Sequence, residues 1–418
     1  MTKKIGMSIY KDLRLKYKIF QLKRSLTKAN KNFDFSKIVY SKKNVLVIDS
    51  IIPEFDKDSG SRRIYKIINI LLNHGFGVFL VADKKEYKYK TEYVAHYKQL
   101  GVVVYEPAIS ETGTFITKEL FIDAILPKMN YAWLHRADVF KDYVDLVSKR
   151  KEIKLIYDMV DFHYLRLIRE WENTKDTKTK NEAEKYLKTE VKNCQQADKI
   201  ITISNQDKDA LIEFYAEEEK MITIGNVHQF LDVQKVPFNE REGLFFVGGF
   251  SHKPNEDAIN FLYHDIMPLV WEKNKDIKVT IIGSYPTKEM LALNSKRFSV
   301  LGFVEDISTY FNSSRVFVAP LRYGAGVKGK IGQSLEYGLP VVTTPVGAEG
   351  FDFGEIGEIL IATSAQDLAD NILKLYEDEA LWLKASLASE EILEPFSINA
   401  IEKQVLNVLN CKSDNLAE

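Results

Sequence analysis

The sequence predicts an α/β protein of two Rossmann-like domains facing each other across a cleft, preceded by a basic helical extension. Three observations predict it. A chain of 418 residues exceeds one ordinary core. Short runs rich in Val and Ile, without polar alternation, recur between helical stretches, as expected of parallel strands covered on both faces. The β/α series also begins twice, first at residue 44 and again near residue 243. The mix of 45% hydrophobic and 28% charged residues is that of a globular protein. Two cysteines, Cys194 and Cys411, lie far apart without metal-ligand spacing, which argues for a reducing compartment and against a disulfide framework or zinc site. No apolar signal segment and no run of membrane-spanning length is visible, so a cytoplasmic protein is expected.

Taken in order, residues 1–43 form the extension. They hold thirteen Lys or Arg against only Asp12 and Asp34, a charge of +11, so the remainder carries −12 of the overall −1. Ile9, Leu13, Tyr17, Phe20 and Leu26 recur through this arm at three- to seven-residue steps. The pattern fits a cationic amphipathic helix resting on an anionic membrane surface, which would place the protein peripherally on the inner face. The alternative is a helix packed on the protein body with its lysines in water. Nucleic acid is not an expected partner, because the basic excess is confined to the arm and no binding motif accompanies it.

The first domain is expected over 44–227. "NVLVID" (44–49) reads as a buried strand, 64–73 as a helix ending near Gly75, and "GVFLVA" (77–82) as the next strand. "VVVYEP" (102–107), "YAWLH" (131–135), "KLIYDMVD" (154–161), "KIITIS" (199–204) and "MITIGNV" (221–227) follow, with a long exposed helix expected over the charged stretch 170–193. The turn at 227–239 is the expected linker. The second domain, 228–395, runs through "GLFFVGG" (243–249), a helix over "PNEDAINFLYHDIMPLVWE", "KVTIIGS" (278–284), "FSVLGFV" (298–304), "RVFVAPL" (315–321) and "PVVTTP" (340–345). A last segment, 396–418, contains a helix able to dock back on the first domain.

Two loops carry the chemistry. In "APLRYGAGVKGKIGQSLEYGLPVVTT" a strand gives way to a glycine-rich loop and a helix start, with Lys328 and Lys330 beside it. Backbone N–H groups there, backed by the helix dipole, favour a phosphate, and Gly324 and Gly326 let the backbone come close. The plain alternative is a helix N-terminus with solvated lysines. "VGGFSHKPNEDAI" repeats the arrangement: Gly248 and Gly249 follow a strand, His252 and Lys253 are polar, and Asn255 is placed to cap a helix starting at Glu256. In the first domain "DKDSGSRR" offers Asp58, Gly60, Arg62 and Arg63 before a helix, and "DMVDFHYLR" places Asp161, His163 and Arg166 after a strand end, where α/β folds carry functional groups. His135 and Arg136 of "WLHRAD" occupy a similar position.

The second half resembles the donor domain of GT-B glycosyltransferases, closest to the retaining family 4 of bacterial polysaccharide assembly. The resemblance rests on "FVGGFSHKPNEDAINFL" (245–262), "VLGFVEDISTYF" (300–311) and "APLRYGAGVKGKIGQSLEYGLPVVTTPVGAEG" (319–350). The first half is similar more weakly, through "PEFDKDSGSRR" (53–63) and "YDMVDFHYLRLIREWE" (157–172). The resemblance implies an enzyme that moves a hexosyl or deoxyhexosyl group from a nucleoside-diphosphate-sugar to a glycan, lipid-linked or protein-linked acceptor. It implies retention of configuration and no bound metal or other cofactor. Gly248, Gly249, His252, Gly324, Gly326, Lys328, Lys330, Gln333 and Glu349 would hold the donor, with Phe303 and Val304 along the base. Asp58, Gly60, Arg62, Arg63 and Arg166 would face the acceptor, and Asp161, His163 and Lys328 the chemistry. The family's E-x7-E glutamates fall at Ala325 and Gln333, so both are absent, while Glu336 lies one helical turn beyond. That departure leaves open a non-catalytic, transferase-like partner subunit; a sugar-nucleotide epimerase of the same fold is a further alternative.

Overall fold

The computed structural model describes residues 16–17, 20–28, 32–83, 92–231, 236–324 and 326–410. Seven parallel strands build the first domain: β1 (Asn44–Asp49), β2 (Gly77–Ala82), β3 (Val103–Val104), β4 (Tyr131–His135), β5 (Lys154–Asp158), β6 (Lys199–Thr202) and β7 (Met221–Thr223), in the order β7-β6-β5-β4-β1-β2-β3. Five more, β8 (Leu244–Val247), β9 (Val279–Ile282), β10 (Phe298–Val300), β11 (Val316–Ala319) and β12 (Val341–Thr343), form the second sheet in the order β10-β9-β8-β11-β12. Every residue of β1 is buried, as is every residue of β11, so both runs are shielded on two faces, as their unbroken apolar sequence requires. Strand order reverses beside β1 in one sheet and beside β8 in the other. Such a reversal opens a crevice beyond the carboxyl ends of the central strands.

The strands end earlier than the apolar runs do. "VVVYEP" yields only the two residues of β3, and "MITIGNV" only the three of β7, because the rest leaves the sheet edge as loop. Helix α1 spans Ser59–Asn73, starting five residues before the expected 64, because Asp58 accepts from Ser61 N and caps it there. The charged stretch over 170–193 is not one helix. It divides into α2 (His163–Thr174) and α3 (Thr177–Gln196), broken where Lys175 turns left-handed (φ 55°) and Asp176 caps α3. Nor is it fully exposed, since Glu190, Asn193 and Cys194 of α3 are buried.

Helix α4 (Lys253–Phe261) begins at Lys253 and not at Glu256. Its N-cap position is His252, which makes no side-chain cap bond, and Pro254 sits in the first turn, where a missing N–H costs nothing. Helix α5 (Gly329–Glu336) starts directly after Lys328. Helix α6 (Ile398–Val408) carries the chain back across the molecule: Phe396 packs in the second core, while Ile401, Val405 and Val408 lie in the first. Tyr131 Oη donates to Leu409 O at 2.8 Å, and His74 pairs with Glu402. At the other end residues 20–28 are helical, and Asn32–Phe33 pairs in parallel with Ala108–Ser110 of a small hairpin. Residues 1–15, including Ile9 and Leu13, and Cys411 lie outside the described residues.

Candidate functional site

The carboxyl ends of both sheets open on one cleft of about 590 Å³. Its first-domain wall is the segment 55–59 with Arg62; its second-domain wall is Gly248, Gly249, His252, Asn255, Tyr323, Gly324 and residues 327–330 with Gln333; Asn226, Val227 and His228 of the linker close the back.

Lys330 projects from the first turn of α5. Its Nζ donates to Asn255 Oδ1 and lies 4.3 Å from the centre of the Phe246 ring. Asn255 Nδ2 in turn donates to Gly249 O at 2.7 Å, so this amide orients the lysine and pins the glycine turn and does not cap the helix. No carboxylate pairs with Lys330 among the described residues. Burial, with a smaller push from the charge of Lys328, brings its pKa down to about 7. Gly248 makes the geometry possible: a Cβ there would stand 2.5 Å from Lys330 Nζ.

Lys328 is differently placed. Burial lowers its pKa, and Glu349 Oε2 at 3.2 Å counters that shift. Glu349 Oε1 also receives Arg169 Nη1 of α2 at 2.6 Å, and the same nitrogen donates to Gly324 O at 2.9 Å. One carboxylate therefore ties the glycine loop and Lys328 to the first domain. Gly326 (φ 69°) completes this seat, since a Cβ there would meet Ile203 at 3.1 Å and Asp207 Oδ2 at 3.6 Å. Asp207 is buried with no hydrogen-bond partner for either oxygen. Burial, with Asp161 nearby, pushes its pKa up to about 7. His252 lines the cleft as a neutral imidazole, brought down to about 4 by burial and by the charges of Lys330 and Arg166.

A second tie crosses the domains behind the cleft. Arg62 Nη2 donates to Glu336 Oε1 at 3.1 Å, and the same oxygen accepts from Gln229 N at 3.2 Å and stands 3.1 Å from His228 Nδ1. The His228 ring lies flat on Gly332, where a Cβ would fall 2.2 Å from its Nε2.

Of the residues singled out in the sequence, Asp58, Arg62, Gly248, Gly249, His252, Gly324, Lys328, Lys330 and Gln333 line the cleft. The others are placed differently. Arg63 is fully buried, gripping Asp158 through Nη1 at 2.9 and 3.0 Å and donating from Nε to Ile224 O and Gly225 O. It is a strut under the sheet and no acceptor contact. Gly60 is the second residue of α1, where a Cβ would crowd Asp58 Oδ1 at 3.3 Å and meet Arg136 at 3.5 Å, and it does not line the cleft. Arg166 is spent on Asp161, Nε to Oδ2 at 2.8 Å, at the edge of the site. Against its burial, His163 and Arg166 hold Asp161 below the usual carboxylate range.

His163 does not line the cleft. Its Nδ1 is 3.1 Å from Glu190 Oε1, its ring stacks on Tyr186 at 4.6 Å, and Glu190 also accepts from the backbone N of His163 and Tyr164. Phe303 is 64% exposed at the rim, with Lys57 Nζ 5.8 Å from its ring centre, and Val304 packs at the edge of the second core. Glu349 and Gly326 form the seat of the loop and not the wall of the cleft. Sequence reading missed Asp207, Arg169 and His228. A lone His in a linker and single charges on helices carry no periodic signal; only the folded chain brings Arg169 and Asp207 to the loop and His228 onto α5. His135 and Arg136 meet Asp49 at the end of β1, each nitrogen 2.9 Å from a carboxylate oxygen, and these two partners hold Asp49 far below its ordinary range despite burial.

Two doubly wound domains facing across a cleft, with a lysine-flanked helix start on the second wall, define the GT-B glycosyltransferase fold. Comparison with known proteins agrees with the resemblance read from the sequence. Residues 241–378 match the family model described as glycosyl transferases group 1. Over nearly nine-tenths of the chain the fold is similar to Anabaena Alr3699/HepE in complex with UDP and glucose (TM-score 0.61, 14% identity, 88% of this chain and 99% of that one). It is similar also to TarM, of S. aureus (TM-score 0.70, 13% identity, 88% and 99%). Sucrose-phosphate synthase from Thermosynechococcus elongatus is a third (TM-score 0.63, 15% identity, 88% and 98%). A curated relative, a 44.6 kDa protein in the cps region of Klebsiella pneumoniae, is 25% identical over 139 residues, 31% of this chain and 36% of that one. The match thus spans about a third of that relative's length.

Proposed function

We propose that this protein is a retaining glycosyltransferase that moves a sugar from a nucleoside-diphosphate-sugar to a glycan or lipid-linked acceptor during polysaccharide assembly. The observation that carries the reading is Lys330: a half-buried ammonium at a helix start, held in place by Asn255, facing the cleft with no carboxylate paired to it among the described residues. Such a cation loses solvation on folding and regains it when an anion arrives. A diphosphate set between Lys330, Gly248 and the N-terminus of α5 would supply that anion.

In the transfer, the bond from the sugar's anomeric carbon to the diphosphate oxygen breaks and its electron pair stays on the phosphate. Lys330, Lys328 and the α5 amides are preorganised for the charge that grows there. The acceptor hydroxyl adds to the anomeric carbon from the same face, and its proton passes to the departing phosphate oxygen. In this reading neutral His252 and the amide of Gln333, both lining the cleft, hydrogen-bond the sugar. The cations do the work a metal would, so chelators should leave turnover unchanged.

UDP-sugars are the first donors to test, since the HepE structure holds UDP. The relative from a cps region supports a polysaccharide acceptor. Thermal shift and calorimetry against UDP-, dTDP- and GDP-sugars should show one nucleotide family stabilising the protein, with the effect lost in Lys328→Ala. NMR of the product would report its anomeric configuration. Binding of none of the three overturns the reading and leaves a transferase-like partner subunit in its place.

A further inference from the structure

The described part of the basic extension is anchored to the first domain. Its helical residues 20–28 sit on the small hairpin of the first domain: Leu26 is buried against Ile109 and Phe115, Leu22 packs beside it, and Lys23 Nζ lies 4.9 Å from the centre of the Phe115 ring. The next residues continue the attachment. Asn32–Phe33 pairs with one strand of the hairpin, and Phe33 and Phe35 pack against Phe121 of the first core. One face of the helix is therefore fixed to the protein.

The opposite face is bare. Leu22 and Leu26 are one turn apart, and at about 100° per residue Phe20 and Arg24 fall on the far side from them. Tyr17 is joined to this helix by the bond from Gln21 Nε2 to its Oη, 2.9 Å long. Tyr17 is 63% and Phe20 59% exposed, among exposed Lys16, Arg24 and Lys28. Two aromatic rings lie exposed among cations, on a helix whose apolar side is already buried, and neither packs in a core among the described residues. They match the requirements of a lipid headgroup layer, where rings enter the interface and cations meet phosphate. A polyanion such as heparin or duplex DNA would account for the cations, but its stacked or absent bases leave nothing for two rings presented on a fixed face.

We propose that this outward face, Tyr17, Phe20, Arg24 and Lys28 with Lys16, docks the protein on an anionic lipid bilayer. The docking is independent of the transferase reading, because none of these residues lines the cleft. The test is flotation of the full chain with phosphatidylglycerol-containing vesicles and with pure phosphatidylcholine vesicles, at low and high salt. Binding is expected on the anionic vesicles alone, and salt should release it. Lys16→Ala/Arg24→Ala/Lys28→Ala should weaken it about 100-fold, at about fivefold per cation. Tyr17→Ser/Phe20→Ser should weaken it about tenfold with the charges intact. Both variants should melt as wild type and keep nucleotide-sugar binding, since the changed side chains are exposed and remote from the cleft. Equal binding to both vesicle types, no binding to the anionic ones, or a triple variant that binds as wild type overturns the proposal. Capture by heparin or DNA with no loss on Tyr17→Ser/Phe20→Ser overturns it in favour of a polyanion.

Discussion

Replacing Lys330 by Met tests the cleft at its most exposed assumption, because the substitution keeps an unbranched apolar side chain beside Phe246 and removes the charge. Bringing an ammonium down from 10.5 to about 7 corresponds, at pH 7, to a ceiling of about 4 kcal/mol of folding free energy spent on holding that charge. The side chain reaches the open cleft, so solvent screening reduces this to about 1–3 kcal/mol. Against it stands the lost bond to Asn255 Oδ1, worth about 1 kcal/mol. The ligand-free variant should therefore melt no lower than wild type, and up to about 5 °C higher for a domain of this size. Donor affinity should move the other way. A charge-assisted hydrogen bond to a diphosphate is worth about 1.5–3 kcal/mol, a loss of about 10- to 150-fold.

The pH dependence follows from the same group. The folded pKa is depressed, so the lysine of the free protein is charged below about pH 7 and neutral above it, whereas a bound diphosphate pulls the proton back on. Affinity is thus full below pH 7 and falls as pH rises beyond it, by up to about tenfold per unit. Calorimetry from pH 6 to 9 with the nucleotide-sugar that binds best reads this directly, because a diphosphate diester has no ionisation of its own in that range. Lys330→Met should lose most of this slope, keeping only what Asp207 under the same loop contributes as it charges through about pH 7. A wild-type profile that is flat, or a variant that binds as tightly as wild type, would refute the reasoning.

Three other substitutions separate structure from function. Arg63→Met should cost about 3–5 kcal/mol in chemical denaturation, since it strands Asp158 in the core, and should leave the acceptor KM of whatever enzyme still folds unchanged. Gly332→Ala drives a Cβ into the His228 ring; a loss of about 1–3 kcal/mol is expected, recovered in part by pairing it with His228→Ala, and measured by thermal melting of single and double variants. Asp207→Asn should stabilise the protein at pH 8 and lose that advantage towards pH 4: the carboxyl's folded pKa stands at about 7 against 3.8, so its cost is absent below pH 4 and complete only above pH 7.

The fold was legible because its strands obey simple physics. A run such as "VLVI" can be satisfied only between two layers, and two such series in tandem give two sheets. The glycine loop and its lysines were legible for a similar reason, since a close backbone approach needs glycine at any such site. What the sequence did not disclose is pairing. Arg62 and Arg63 are neighbours of one chemical type, yet one reaches across the domains to Glu336 and the other disappears under β5 to hold Asp158. Helical phase separates them, and only the partner at the end of each side chain decides its role. His163 shows the same limit: the motif that placed it after a strand end was sound, but Glu190, from a helix expected to lie in water, takes its imidazole. The break at Lys175 that brings Glu190 inward has no glycine or proline to announce it.

Two carboxylates near the positions of the absent glutamates are already engaged. Glu336 lies one turn beyond Gln333, but it is buried and its Oε1 is shared among Arg62, His228 and the Gln229 amide, so it is committed to joining linker and domains. Glu349 is likewise engaged on both oxygens, by Lys328 and Arg169. Neither is free to meet a donor without breaking a tie between the domains. The second-domain wall therefore presents cations, neutral amides and glycine backbone, with Gln333 where the family it resembles carries a glutamate. Losing a carboxylate at 333 removes like-charge repulsion towards an incoming diphosphate, while the amide of Gln333 keeps one donor and one acceptor for a hydroxyl. If that trade holds, Gln333→Glu should weaken nucleotide-sugar binding in calorimetry and shift its pH profile. A variant that gains affinity would show instead that the cleft has lost a group it still needs.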